Sequence, residues 1–360
     1  MNKDIKSKVG IIGAGAWGTA IAKAIAQNGN TVEIWSFEKE VADEINQKHK
    51  NSTYLSEVKL PVTVKANTNL KEVASNKDFL LIVVPSPFIV DVVKKILDIE
   101  DIIEGNTQIG VLTKGFVNTK NRTRLIIETL EDYLPGVYKG NLVYISGPSH
   151  AEEVAQNKIT GLISASLNAK NSIHFRGLLS GNNLVVFSSL DIIGVQVCAA
   201  LKNVIAISFG MLDALKESIP MFGDNSESLL LAAGLNEIQK LGMALGSSHP
   251  ETFTSIAGVG DLDVTCRSIL GRNRRFGRDI VLKDMLTKFK DIDDLIRNAS
   301  KIGYLPEGIY AAKKVYELSK EYKLKLPVSN GVYRVLNKDI KPLNEVELIL
   351  KNMSKLYNKG

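Results

Sequence analysis

Cysteine, histidine and aromatic residues are scarce in this chain: two Cys, four His and 6% Phe, Trp and Tyr in 360 residues. Cys198 and Cys266 stand far apart, with no CxxC or Cys/His spacing. That argues against a disulfide framework and a structural zinc site, and fits a reducing compartment. The start, MNKDIKSKVGIIGAGAWG, holds only a short apolar run before its glycines, too short for a signal peptide. Internal repeats and low-complexity segments are missing as well. Charge is not one-sided either: a net +6 with 23% charged residues suits an anionic ligand without demanding nucleic acid. What is present is 44% hydrophobic residues over a length that accommodates two ordinary domains. The expectation is a globular protein of the cytoplasm.

The first half alternates short β-branched runs with helical stretches. The runs are 9–13, 31–35, 79–85, 108–114, 142–146, 161–166 and 184–189. Being continuously apolar rather than alternating, they predict strands covered on both faces, hence a mainly parallel sheet. After about residue 190 the strand signals stop, and helices are predicted over 191–215, 226–245, 251–258, 277–288, 307–321 and 344–357. The fold class expected is α/β, a Rossmann-type domain over 1–190 followed by an all-α domain over 191–360.

Residues 9–18, VGIIGAGAWG, put a strand directly before Gly13-x-Gly15-x-x-Gly18, and a helical stretch follows with Gly29 at its stop. The first glycine permits a tight turn, the second lets backbone approach a pyrophosphate, and the third lets helix pack on strand. The helix N-terminus then offers N–H groups and partial positive charge to phosphates. Strand, spacing, helix and second strand together point to a dinucleotide cofactor. An acid about 20 positions on would hold the ribose hydroxyls of NAD; Glu33 and Glu38 are the candidates. No arginine stands at this strand end for a 2′-phosphate, only Lys39, so the balance favours NAD over NADP.

Ligands of open α/β sheets bind beyond the carboxyl ends of the strands. Lys114 sits at one such end in GVLTKG, where it either reaches solvent or enters a site. GPSHAEEVA (147–155) follows another, and there the simplest reading is a capping box, Ser149 as N-cap with Glu152 three residues on. Farther along, Arg267, Arg272, Arg274, Arg275 and Arg278 fall within twelve residues among glycines. They allow a phosphate clamp with Asn273, a solvated charged loop or a nucleic-acid patch, in that order of preference. Only Phe276 is nearby to stack on a base.

Lys202 is the most informative residue. From Ile192 to Leu212 no other side chain is charged. This stretch reads as a buried core helix in preference to a membrane span. A buried lysine either pairs structurally with a carboxylate or works as an acid–base group. Burial disfavours the charged ammonium, and a neutral amine could take the proton of a substrate hydroxyl while hydride leaves the same carbon. Asp261 and Asp263 are the carboxylates placed to orient it.

At this point the residues resemble a known family. VGIIGAGAWGTAIA, VLTKG, GPSHAEEVA, CAALKNVIAI, GDLDVTC, GRNRRFG and LPEG occur in the order found in the NAD(P)-dependent sn-glycerol-3-phosphate dehydrogenases, from residue 9 to about 340. The resemblance implies a Rossmann-type domain plus a helical domain, usually in a homodimer. It implies reversible interconversion of glycerol 3-phosphate and dihydroxyacetone phosphate, feeding glycerophospholipid synthesis, with no metal and no nucleic-acid or integral-membrane partner. By the same resemblance, Lys202 matches the general base and Lys114 a lysine reaching substrate and cofactor. Asp261 and Thr265 match the polar partners of the base. Gly147, Ser149, Gly271, Arg272 and Asn273 match substrate positions, the last two holding the phosphate. Gly13, Gly15, Ala16, Trp17, Gly18, Ser36, Phe37, Ala151, Leu305 and Glu307 match cofactor positions, which Lys114 and Arg272 also touch. Two positions depart from the usual pattern: His150 replaces a phenylalanine, and Gly271 stands where bacterial members commonly have serine. WSFEKE (35–40) is similar to the WVFEE of eukaryotic NAD enzymes.

Overall fold

The apolar runs of the first half become strands of one eight-stranded sheet in the computed structural model of the protein, which describes residues 7–119, 122–181 and 183–357, with side chains up to Lys351. The chain divides into two compact units. Unit 1 comprises Met1–Thr119 and Arg124–Ile192, and unit 2 comprises Lys120–Thr123 and Ile193–Gly360.

Unit 1 carries β1 (Lys8–Ile12), β2 (Thr31–Trp35), β3 (Val64–Asn67), β4 (Phe79–Ile82), β5 (Gln108–Val111), β6 (Val143–Ser146), β7 (Thr160–Ala165) and β8 (Leu184–Ser189). Their order across the sheet is β8-β7-β6-β5-β4-β1-β2-β3. The run β3-β2-β1-β4-β5-β6 is parallel throughout and is the doubly wound dinucleotide-binding order, with its switch point between β1 and β4. β7 joins β6 antiparallel, and β8 then runs parallel to β7. The predicted mainly parallel α/β sheet is thus observed, with one reversed step. Continuous apolar sequence gives continuous burial, as in β6, where all four residues are buried. Helix α1 (Ala16–Gln27), α2 (Ala151–Ala155) and α3 (Ala169–Leu179) flank these strands.

Unit 2 is helical, as predicted. Its elements include α4 (Ile192–Lys216), α5 (Asp224–Ala244), α6 (Asp261–Arg267), α7 (Arg272–Leu282), α8 (Gly308–Glu321), α9 (Pro327–Leu336) and α10 (Pro342–Tyr357). The first residue of α4, Ile192, closes unit 1. α4 is long and apolar enough to span a membrane, yet 94% of its most apolar window is buried in the protein, which makes it a core helix. Packing against α7 is backbone to backbone: a Cβ on Gly210 would lie 2.0 Å from the Arg274 carbonyl oxygen, and one on Gly277 would lie 2.1 Å from that of Ile207.

Several local expectations are corrected. Residues 251–258 split into a short helix, Glu251–Thr254, and a π-helical turn, Ile256–Gly260. The helix predicted over 277–288 begins earlier, at Arg272, because Gly271 takes the extended N-cap conformation and the arginines continue the helix from it. Ser149 is not an N-cap. His150 holds that position without a side-chain cap, and the Ser149 hydroxyl instead donates to the Gly147 carbonyl at 2.9 Å.

Candidate active site

In unit 1 the parallel strands send the loops after β1, β4, β5 and β6 to one edge of the sheet. After β1, Gly13 turns at φ +121°, a conformation that disfavours any side chain, and a Cβ on Gly18 would lie 1.9 Å from the Gly13 carbonyl oxygen. Only glycine closes this turn. Gly15 is the extended N-cap of α1 and lacks a side chain to occupy the helix end, where a Cβ would meet nothing within 4 Å. Ala16, Trp17 and Gly18 open the helix, whose first turn carries no acid. Partial positive charge therefore faces open space, so the residues present fit the pyrophosphate of a dinucleotide.

The end of β2 separates the two acidic candidates. Glu33 lies 3.2 Å from the Lys77 ammonium and accepts from Asn67, so it is already partnered within the protein. Glu38 lies past the strand end and accepts from the Tyr54 hydroxyl at 2.7 Å. Ser36 is fully buried, its hydroxyl bonded to the Glu38 carbonyl, whereas Phe37 is 82% exposed. After β5, the Thr113 hydroxyl donates to the Val84 carbonyl and the Thr113 carbonyl accepts from the Tyr144 phenol. These bonds fix the turn that presents half-buried Lys114 at the strand end. After β6, Gly147 turns at φ +135° ahead of Ser149 and Ala151, the first residue of α2.

Unit 2 gathers the other candidates. Lys202, 5% exposed in the middle of α4, pairs with Asp261, the fully buried first residue of α6. The Thr265 hydroxyl donates to the Asp261 carbonyl at 2.6 Å, tightening the turn that carries this carboxylate. Asp263 pairs instead with Arg267, which answers which acid orients the lysine. Beside Lys202, the Asn203 side-chain Oδ1 accepts from the Asn273 Nδ2 at 2.9 Å, and the Asn273 Oδ1 accepts from the Gly308 N–H at 2.9 Å. Asn273 thus ties α4 and α7 to the start of α8, where Leu305 and Glu307 lie, and keeps one amide N–H for a ligand. Sequence reasoning assigned Asn203 no role; its signal was a polar side chain next to Lys202 in a largely apolar run.

The arginine cluster resolves by partner. Arg274 and Arg278 both bond to Asp213, Arg278 also bonds to Glu217, Arg267 bonds to Asp263, and Arg275 lies over the Tyr304 ring, 3.9 Å from Asp279. Arg272, exposed behind the buried Gly271, has no carboxylate partner among the described residues. One guanidinium out of five is left for an anion, which suits a single phosphate far better than a nucleic-acid backbone.

Models of the NAD-dependent glycerol-3-phosphate dehydrogenase N-terminus and C-terminus match residues 8–172 and 191–347. The chain belongs to the glycerol-3-phosphate dehydrogenase family. Within that family, the glycerol-3-phosphate dehydrogenase (NAD(P)+) of Treponema denticola is 52% identical over 357 residues, covering 98% of this chain and 100% of that protein. The Enterococcus faecalis protein of the same name is 36% identical and covers 93% of each chain. The crystal structure of glycerol-3-phosphate dehydrogenase from Coxiella burnetii matches with a TM-score of 0.82 at 32% identity, over 96% of this chain and 99% of that one. As a glycerol-3-phosphate dehydrogenase family member the chain is an oxidoreductase using NAD or NADP.

Proposed function

We propose that this protein interconverts sn-glycerol 3-phosphate and dihydroxyacetone phosphate with Lys202 as the general acid–base group. The observation that carries the reading is the Lys202–Asp261 pair, a proton-bearing group held by a buried carboxylate in the middle of an apolar helix. A bound nicotinamide supplies or accepts the hydride at the C2 carbon. In reduction, the Lys202 ammonium gives its proton to the C2 oxygen as that oxygen gains negative charge; in oxidation, the amine takes the hydroxyl proton back. Asp261, held in turn by Thr265, fixes the direction of the ammonium. Arg272 and the remaining Asn273 N–H hold the substrate phosphate, with Lys114, Gly147 and Ser149 as further substrate contacts. No step calls for a metal.

The glycine turn 13–18, Ser36, Phe37, Ala151, Leu305 and Glu307 are assigned to the cofactor. NAD is the preferred form, because no arginine follows β2 and Glu38 stands past its end. We place the enzyme in the cytoplasm as a homodimer whose product feeds glycerophospholipid synthesis. The test is a steady-state assay of nicotinamide absorbance with dihydroxyacetone phosphate and each reduced cofactor. Lys202→Met is expected to fold and bind cofactor with turnover lowered roughly 10²–10⁴-fold; near-normal turnover refutes the assignment. Equal use of unphosphorylated dihydroxyacetone by the parent enzyme refutes the phosphate clamp.

A further inference from the structure

The two edges of the sheet are finished differently. At the β3 edge, Val64 and Ala66 point their backbone groups away from β2, since Asn67 faces it through the Ser36 N–H. Both are covered. The Val64 N–H reaches the Pro61 carbonyl, and the Asn46 amide bonds the N–H and the carbonyl of Ala66 at 2.9 and 2.8 Å. Exposed Lys65 adds a charge, a familiar guard against edge pairing.

The β8 edge is guarded only at its first residue. The carbonyls of Asn183 and Ser189 accept from Thr160 and Ser166, so odd-numbered residues face β7 and even-numbered ones face outward. The Leu184 carbonyl is met by Gly181 at 3.3 Å. Val186 and Ser188 have no backbone partner on the outer side among the described residues. From Asn183 to Leu190 there is no charged residue, proline or glycine. Helix α3 covers the Leu184 and Val186 face, but Val185 and Phe187, on the other face, are 49% and 50% exposed. Leu167 and Leu190, past the ends of β7 and β8, are 63% and 51% exposed.

We infer that β8 is the surface on which two copies of this chain pair, antiparallel about a two-fold axis through Phe187. The register follows from which groups point outward. Val186 of each copy pairs with Ser188 of the other, exchanging N–H···O bonds, and this sets Phe187 opposite its own symmetry mate in a non-hydrogen-bonded pair. The aromatic rings then meet on the exposed face, the kind of cross-strand contact that stabilises sheets. A second copy fits better than an unrelated partner because a two-fold sets each residue near its own kind. A neutral edge in a chain of net charge +6 lets two copies meet without like-charge repulsion. Four half-exposed apolar side chains at roughly 100 Å² each supply about half of the 800 Å² or so per partner of a standard interface, before the strand backbone and flanking turns are counted. The homodimer belongs to the functional reading; its surface is new here and is tested independently of catalysis.

Size-exclusion chromatography with light scattering should give twice the 39.4 kDa chain mass for the full-length protein. Phe187→Lys, which places like charges opposite one another, should weaken dimerisation at least ~100-fold and leave a folded monomer. Phe187→Cys under oxidised glutathione should cross-link the dimer, because facing Cα atoms in such a pair lie about 4.5 Å apart, within disulfide reach. Val185→Cys should not, since it sits four residues, about 13 Å, from its own mate. The native Cys198 and Cys266 are buried and give no background band. A dimer that survives Phe187→Lys, cross-links equally at both positions, or never forms overturns the proposal. Turnover on the same samples keeps these failures distinct from a failure of the dehydrogenase reading.

Discussion

Removing the Lys202 ammonium does two separable things, and the structure gives the size of each. The side chains of Lys202 and Asp261 are 7% and 0% exposed, so Lys202→Met leaves a carboxylate out of water without its cation. Breaking a buried pair from one side costs about 3–5 kcal/mol, whereas replacing both partners by neutral groups is often near neutral. Lys202→Met/Asp261→Asn is therefore expected to regain most of the stability lost in the single variant while its turnover stays down by roughly 10²–10⁴-fold. Lys202→Arg adds a third arm. It keeps a cation for Asp261, but a guanidinium does not give up its proton near neutral pH, so folding is largely retained and turnover is not. Stability is read by urea unfolding. Trp17 and Trp35 both lie in unit 1, so their fluorescence follows that unit, and circular dichroism weighted by helices follows unit 2, where the cost should appear. Recovery of turnover in the double variant, in step with its stability, would show that Lys202 is a structural partner of Asp261 and would end the acid–base reading.

Gly18→Ala forces a Cβ against the Gly13 carbonyl oxygen at 1.9 Å; a backbone shift of about 1–3 kcal/mol should weaken NADH binding ten- to hundredfold in a fluorescence titration. Arg272→Ala should raise the KM for dihydroxyacetone phosphate by about tenfold or more with an unchanged melting temperature, reflecting a lost charge-assisted bond of about 1.5–3 kcal/mol. Arg274→Ala should do the reverse, lowering the melting temperature through loss of its 2.5 Å contact to Asp213 while KM holds. Glu237 is buried and accepts from the Val328 N–H, the Ser329 N–H and the Ser329 hydroxyl at the start of α9, and desolvation pushes its carboxyl up to about 7. Between its unfolded value of 4.5 and 7 the native state binds the extra proton, so stability falls as pH rises through this window, by about 3 kcal/mol in all. Glu237→Gln should flatten that slope in urea titrations run from pH 5 to pH 8.

Much of the fold was legible because burial on both faces writes itself into sequence as unbroken apolar runs. Seven of the eight strands announced themselves as β-branched, mostly apolar runs, although β2 carries Glu33 and β8 buries only one face. The eighth, Val64–Asn67, reads VKAN and gave no such signal: it lies at an edge, only one face needs apolar side chains, and Lys65 points into water. The direction of β7 was also hidden, since a strand covered on both faces looks the same in either orientation and the reversal is decided by the short α2 connection. The helices of unit 2 blurred where glycine and arginine alternate. There, close backbone packing at Gly210 and Gly277 sets the geometry, and a residue without a side chain leaves no periodic mark.

The candidate site divides along the same line. A charge inside an apolar helix is visible without any structure, because no other placement explains its neighbours. Its partner is not, because Asp261 and Asp263 differ by two positions and so point about 200° apart around α6, and only tertiary packing says which faces Lys202. The arginines present the opposite case. Asp213 in the last turn of α4 and Glu217 just past its end stand four apart, as Arg274 and Arg278 do on α7, so two charged pairs of one-turn spacing were available to be matched across 61 residues. Matching them removes the structural arginines from the cluster, and removing Arg267 and Arg275 by acids four residues away, Asp263 and Asp279, leaves Arg272. A cation that the fold does not use, next to an amide that the fold uses only in part, is where an anionic substrate can be bound without dismantling what holds the helices together.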